Sequence, residues 1–167
     1  IHKSRKLVAL PAKCSVSAIL SDFVRHMERV LKDSPHRVSQ MSEVANGIED
    51  FFNRTVGFEL LYRFERLQHD DTFGPIHLDD REKEQRLSAG GRPSEVYGSA
   101  HLLRLMVKIG DMLRMTRIEK PADVQLIENA LQEFLAFLDN NRKKYFTSKN
   151  YAEATEEYLK AFQKSIE

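Results

Sequence analysis

The sequence predicts an all-α fold: one domain, residues 1–167, built from about six helices in an irregular, orthogonal bundle. Three observations carry this. Apolar residues recur at the three-four spacing of amphipathic helices along most of the chain. No stretch of convincing length alternates apolar and polar residues as a half-buried strand does. Only 7 Gly and 5 Pro occur in 167 residues, few turn-formers for an all-β protein. A chain of this length forms one domain with room for a real core. No internal repeat is visible.

The elements follow in order. Residues 1–14 are basic (Lys3, Arg5, Lys6, Lys13) and run through Leu7-Val8-Ala9-Leu10 to Pro11, an extended lead-in that stops at the proline. Ser15 or Ser17 can cap the first helix. Val16, Ile19, Leu20, Phe23, Val24, Met27, Val30 and Leu31 form its apolar side, and Asp33-Ser34-Pro35 ends it. The second helix is expected from about Ser42 to Thr55. Gly57 is expected to be a hinge into a third helix, Phe58 to about Gln68. Residues 70–94 turn polar, with Gly74-Pro75, the charged run Asp79 to Glu84, Gly90-Gly91 and Pro93, and are expected to form a long solvated loop. A fourth helix is expected from about Ala100 to Met115. A fifth starts at Lys120-Pro121 and runs to about Lys144. A last one opens at Ser148 or Asn150 and carries Tyr151, Tyr158, Phe162 and Ile166.

Two of these helices have wider apolar surfaces than one core contact needs. At about 100° per residue, the apolar residues of the fourth helix cover an arc of about 220°. A helix lying on a single core needs a stripe of about 100°. This helix is therefore either central, with neighbours on two sides, or buried on one side with its edge offered to a partner. Leu103 and Val107 lie at that edge, beside a narrow polar gap holding Arg104, Lys108 and Asp111. In the third helix, Leu60, Phe64 and Leu67 form one strip and Leu61, Phe58 and Tyr62 another, with Tyr62 at the margin. Glu65 falls inside the apolar arc. A carboxylate there needs a partner, which Arg104 or His101 could supply.

Groups for catalysis are missing from the pattern. The six histidines, His2, His26, His36, His69, His77 and His101, show no H-x-x-x-H or H-E-x-x-H spacing. His69-Asp70-Asp71 and His77-Leu78-Asp79-Asp80 sit in the polar stretch and read as solvated charge. Gly90-Gly91 is no phosphate loop, because no strand precedes it and no G-K-[ST] follows. The lone Cys14 excludes an intrachain disulfide and points to a reducing compartment. No apolar run approaches a membrane span, and no signal peptide is visible. Lys plus Arg (26) nearly balances Asp plus Glu (25), so no bulk basic charge draws nucleic acid. A weaker reading places a nucleic-acid contact on Lys3, Arg5 and Lys6 and on the strip Arg104, Lys108 and Arg114. Beginning at Ile1 and not at Met, the chain is expected to be part of a longer one.

Several segments carry a family resemblance. They are L-P-A-K at Leu10 to Lys13, S-x-x-x-I-L-x-D-F at Ser15 to Phe23, and G-I-E-D-F-F-N at Gly47 to Asn53. L-L-Y-R-F-E-R at Leu60 to Arg66 and V-Y-G-S-A-H-L-L-R-L-M-V-K-I-G at Val96 to Gly110 follow. With E-F-L-A-F-L at Glu133 to Leu138 and Y-F-T-S-K-N-Y at Tyr145 to Tyr151, they resemble the MRG domain over essentially the whole chain.

The resemblance implies an all-helical, non-catalytic interaction domain of a nuclear chromatin protein. Members usually add an N-terminal chromodomain that binds a methylated histone lysine. They serve histone deacetylase and histone acetyltransferase complexes. The implied partners are protein subunits of those complexes, PHD-finger or Sin-type corepressor subunits among them, with chromatin reached indirectly. Neither a cofactor, a metal, a small-molecule substrate nor a membrane is implied. Partner segments of the Phe-x-Leu-Pro type would enter a shallow apolar groove. By position, the groove carries over to Tyr62, to Val107 and Lys108 on the fourth helix, and to Ile127 on the fifth; Phe58, Leu103 and Arg104 join them as its neighbours. In relatives, a Trp-containing segment upstream of L-P-A-K completes part of this surface. This chain has no Trp.

Overall fold

Ser15 starts the first helix, α1 (Val16–Val30), by accepting a hydrogen bond from the Ala18 N–H through its Oγ, 3.2 Å, as an N-cap serine does. Val16, Ile19, Leu20, Phe23 and Met27 point into the core. The structure is a computed structural model that describes residues 5–74, 91–115 and 121–165. The Asp79–Arg92 insert lies almost wholly outside them.

The second helix, α2 (Pro35–Thr55), begins two turns earlier than its apolar pattern suggests. Pro35 occupies the first turn, where a missing N–H costs nothing. His36, Arg37, Ser39 and Gln40 leave no apolar mark on this stretch. Its buried side is Met41, Ala45, Ile48 and Phe52. Glu49 and Asn53 on α2 hold the helical turn α4 (Pro93–Val96): the Ser94 and Ser17 hydroxyls both donate to Glu49 Oε1, and the Ser94 N–H donates to Asn53 Oδ1 at 2.8 Å.

The expected third helix is not continuous. The chain passes through a π-helical turn at Val56–Leu60 and breaks at Leu61 and Tyr62, both extended. It resumes as a 3-10 turn, Arg63–Glu65, and then α3 (Arg66–Phe73). Gly57 is therefore no hinge. A Cβ there would stand 3.0 Å from Nε2 of the buried His69 ring, a tight contact. The helix α3 also takes up the first residues of the stretch expected to be loop.

The long central helix α5 (Ser99–Met115) follows Gly98. A Cβ on Gly98 would lie 2.7 Å from Ala12 Cβ and 2.9 Å from the Cys14 carbonyl, so the lead-in can run against this turn only beside glycine. The Ala12 and Val16 N–H groups donate to the Val96 and Tyr97 carbonyls, each at 2.8 Å. Helix α6 (Pro121–Asn140) ends short of Lys144, and a separate turn, α7 (Arg142–Tyr145), follows. The last helix, α8 (Glu156–Lys164), starts later than expected, capped by Thr155. Before it, Tyr151–Glu153 forms β2, which pairs antiparallel with β1 (Lys6–Val8) in the register Lys6 to Glu153.

The main core gathers the inward faces of α1, α2, α5 and α6. Phe23 meets Phe134 edge-on at 5.0 Å and Phe137 at 5.5 Å. A small second core, Leu7, Phe64 and Phe162, lies under the β ladder and α8. The all-α class holds, with this two-stranded ladder and an isolated antiparallel bridge between Ser15 and Gly98 as the β structure among the described residues.

Candidate functional site

Helix α5 sorts its apolar residues into two sets. Leu102 and Leu105 are fully buried, whereas Leu103 is 43% and Val107 78% exposed. Of the two readings of its wide arc, the structure takes the second: one side in the core and one edge in solvent. Phe58, on the π turn, and Tyr62, at the chain break, are also exposed.

Beside this edge lies a cavity of about 670 Å³. Tyr62, Phe64, Leu103, Phe146, Tyr151 and Phe162 supply its apolar walls, and Arg63 and Arg104 its cations. Size and lining suit a few apolar side chains of a partner. The break at Leu61–Tyr62 is what turns the Tyr62 ring outward while Phe64, two residues on, faces the second core.

A buried ion pair fixes the cavity wall. Arg104 places its guanidinium carbon 4.1 Å from the centre of the Tyr62 ring, a cation–π distance. The same group donates through Nη1 to Glu65 Oε2 at 2.5 Å and to the Leu60 carbonyl at 2.8 Å, and through Nη2 to Glu65 Oε1 at 2.9 Å. Glu65 Oε2 also accepts from the Tyr62 N–H at 2.9 Å. Glu65 is 1% exposed. His101 Nε2 approaches its Oε1 at 3.4 Å, a long contact, so Arg104 carries the pairing. Burial pushes the Glu65 carboxyl up, but hydrogen bonds from His101 and Arg104 outweigh it and hold the group down to about 2. The partner that a buried Glu65 requires is Arg104, with His101 beside it at the longer distance.

Behind this pair, His69 Nδ1 and the Tyr97 hydroxyl share a hydrogen bond of 3.0 Å. Burial pushes His69 down to about 4 and raises the Tyr97 hydroxyl above its ordinary range. His69 therefore does not belong to a solvated loop. It is turned inward, away from the metal-like cluster its sequence neighbours suggest. Among the described residues no group of three or more His, Cys, Asp or Glu could hold a metal ion, and no helix is long and apolar enough to cross a membrane. His77 lies outside them. Cys14 is half-buried, and burial raises its thiol, the opposite of an activated nucleophile.

Not every expected groove residue meets at this cavity. Tyr62, Leu103 and Arg104 line it. Val107 extends the exposed ridge one turn beyond Leu103. Lys108 is tied to the π turn, donating to the Glu59 carbonyl at 2.6 Å and lying 3.3 Å from its carboxylate. Ile127 lies elsewhere. It lines a hollow of about 320 Å³ between α2, α5 and α6, with Val44, Phe51, Ile109, Leu126 and Leu131. Six wall residues are not among those the sequence assigns to the groove: Arg63, Phe64, Ala100, Phe146, Tyr151 and Phe162. The sequence puts the last two on one helix, but Tyr151 stands on β2 and Phe162 on α8. Only the pairing of β2 with β1 brings them to Tyr62.

Comparison with known proteins agrees in its extent. The family model described as MRG matches residues 1–153. The NuA4 complex subunit EAF3 homolog of Drosophila melanogaster is 32% identical over 98% of this chain and 35% of its own length. The chromatin modification-related protein EAF3 of Yarrowia lipolytica is 33% identical over 95% of the chain and 38% of its own. The mortality factor 4-like protein 1 of Homo sapiens is 34% identical over 95% of the chain and 40% of its own. The chain thus spans between a third and a half of the length of these curated relatives.

Proposed function

This chain belongs to the MRG family, and we propose that it is the non-catalytic interaction domain of a nuclear, chromatin-associated subunit. It takes apolar partner segments into the groove between Tyr62 and the Leu103–Val107 ridge. The observation that carries this reading is an exposed apolar edge on an otherwise buried helix, next to an aromatic cavity whose wall is fixed by a buried ion pair. Such preorganisation lowers the ordering cost of binding. A partner Phe and Leu would each contribute about 1.5–3 kcal/mol of gross transfer free energy on burial.

The names of the relatives support the class of assembly: one is a subunit of the NuA4 complex, and others are chromatin modification-related. The partners we propose are subunits of histone acetyltransferase and histone deacetylase complexes, with segments of the Phe-x-Leu-Pro type as ligands. Arg104 serves as a positioning residue for Tyr62 and not as a free rim charge.

Calorimetric titration of this chain with a Phe-x-Leu-Pro peptide, beside its Phe→Ala, Leu→Ala control, tests the reading. We expect micromolar or tighter binding, lost in the control and in Tyr62→Ala. No heat with a well-folded chain would overturn it. On the strip of the rival nucleic-acid reading, Arg104 is paired with the buried Glu65, and Lys108 lies 3.3 Å from the exposed Glu59 carboxylate. Lys3 and the Arg114 side chain lie outside the described residues.

A further inference from the structure

A second surface, formed by α1 and α7, collects cations around a polar cavity of about 480 Å³. Arg25, Arg29 and Lys144 line it together with His26, against two carboxylates, Asp22 and Glu28. The carboxylate of Asp22 is saturated. It accepts from Arg25 Nη2 at 2.7 Å, from Lys144 Nζ at 2.6 Å and from the Tyr145 hydroxyl at 2.9 Å. Those donors, led by Lys144 and opposed by burial, hold Asp22 below its ordinary range. One negative charge is thus spread over two cations, each of which keeps more than half of its side chain exposed.

The neighbours add to the imbalance. Arg29 donates only to the Arg25 carbonyl, 3.2 Å. Lys143, exposed beside Lys144, has no carboxylate partner among the described residues. Arg142 pairs with Asp139 at 3.0 Å, but both are about two-thirds exposed or more, so water competes for that pair. At the cavity itself three cations, Arg25, Arg29 and Lys144, face two carboxylates, Asp22 and Glu28, and the exposed Arg142 and Lys143 precede Lys144 on α7, with Asp139 near the end of α6.

The apolar content of this surface decides the class of ligand. The aromatic rings at the cavity, Phe137 and Tyr145, are 6% and 2% exposed. A protein partner draws most of its affinity from buried apolar or aromatic anchors; no aromatic ring is exposed here, and the large apolar side chain that α1 does expose, Val30, does not line the cavity. A phosphate backbone needs only cations and hydrogen-bond donors. We infer that the α1–α7 corner is a contact site for the phosphate backbone of double-stranded nucleic acid, separate from the Tyr62 groove and independent of what that groove binds. Lys144, fixed on Asp22, sets the spacing, and Arg29 and Lys143 supply charge that no internal partner uses.

The test is fluorescence anisotropy of the 167-residue chain with a labelled DNA duplex of about 20 base pairs, titrated at several salt concentrations. The wild type should bind with a dissociation constant of about 10⁻⁴ to 10⁻⁶ M near physiological salt and more tightly below it. The double variant Arg29→Glu, Lys143→Glu should lose about tenfold in affinity, with a log–log salt slope shallower by about two. Its far-ultraviolet circular dichroism and melting temperature should not change, because both side chains are exposed. Lys108→Glu, on the groove edge, should bind as the wild type does. The inference is overturned if the wild type does not bind duplex at low salt, or if Lys108→Glu weakens binding as much as the double variant. It is also overturned if poly-glutamate of matched charge binds more tightly than the duplex, which would assign the corner to an acidic protein segment.

Discussion

The molecule carries two apolar hollows that are built differently. The one between α2, α5 and α6 is a seam between three regular helices, and the residues along it are half-buried. The one at Tyr62 sits where the helical path breaks, and five separate segments, from the chain break to α8, contribute to its walls. Under the seam lies ordinary core. Under the Tyr62 cavity lies a chain of buried polar groups, Arg104, Glu65, His101, Tyr97 and His69. Helix packing alone leaves a seam. An outward-facing aromatic wall here combines a break in the helix with an electrostatic prop behind it, and the propped cavity is the one we propose for recognition.

The sharpest way to break this contrast is to remove the prop. Arg104→Ala leaves the buried Glu65 carboxylate with only the Tyr62 N–H and the longer His101 contact, which should cost about 3 kcal/mol of stability in urea unfolding. A loss below about 1 kcal/mol would mean that the pair supports nothing. The Glu65 contribution should be complete above its ordinary range near 4.5 and should disappear as pH falls towards about 2.

Acid sharpens the contrast next. His69 has its folded value pushed down to about 4 from 6.5. The unfolded chain therefore takes up a proton first, and stability should fall as pH drops from 6.5 to about 4. The expected loss is on the order of 2–3 kcal/mol. Replacing His69 with Gln should flatten that part of the stability–pH curve. Nothing comparable underlies the seam among the described residues.

Ile127→Ala probes the seam itself. Its half-buried side chain should cost about 1–2 kcal/mol and leave peptide affinity unchanged in calorimetry. Lost peptide binding would join the two hollows into one site. The smallest effect on stability belongs to Val107→Asp. At 78% exposure, it should change unfolding free energy by less than about 0.5 kcal/mol while abolishing peptide binding. If this variant fails to fold, Val107 belongs to the core and the ridge does not exist.

The sequence made parts of this site legible and hid others, for physical reasons. Helical periodicity located α1 and α5 nearly to the residue and put Leu103 and Val107 at an edge, because one continuous helix determines its own faces. The same reasoning required a partner for Glu65 and named Arg104 and His101, since a buried carboxylate has few alternatives. It failed where the helix was not continuous. A π turn followed by an extended Leu61-Tyr62 leaves no mark on apolar spacing, so residues 58–68 looked like one helix. It failed again at the cavity walls. Phe146, Tyr151 and Phe162 reach Tyr62 only through contacts between opposite ends of the chain, and a three-residue strand is too short to alternate visibly. The start of α2 was hidden by a polar first turn behind Pro35.

The satellite core beneath the β ladder has a consequence for how the protein opens. Leu7, Phe64 and Phe162 form a cluster separate from the main core, and Phe64 and Phe162 are also walls of the Tyr62 cavity. A cluster this small, joined by a three-residue ladder, is a cooperative unit of low stability by itself. Amide hydrogens of β1, β2 and α8 should therefore exchange by sub-global opening, well ahead of those in α1 and α5. Each such opening dismantles one wall of the cavity. A bound peptide would slow exchange in β1, which supplies none of the cavity lining, and protection there would report occupancy from behind the groove.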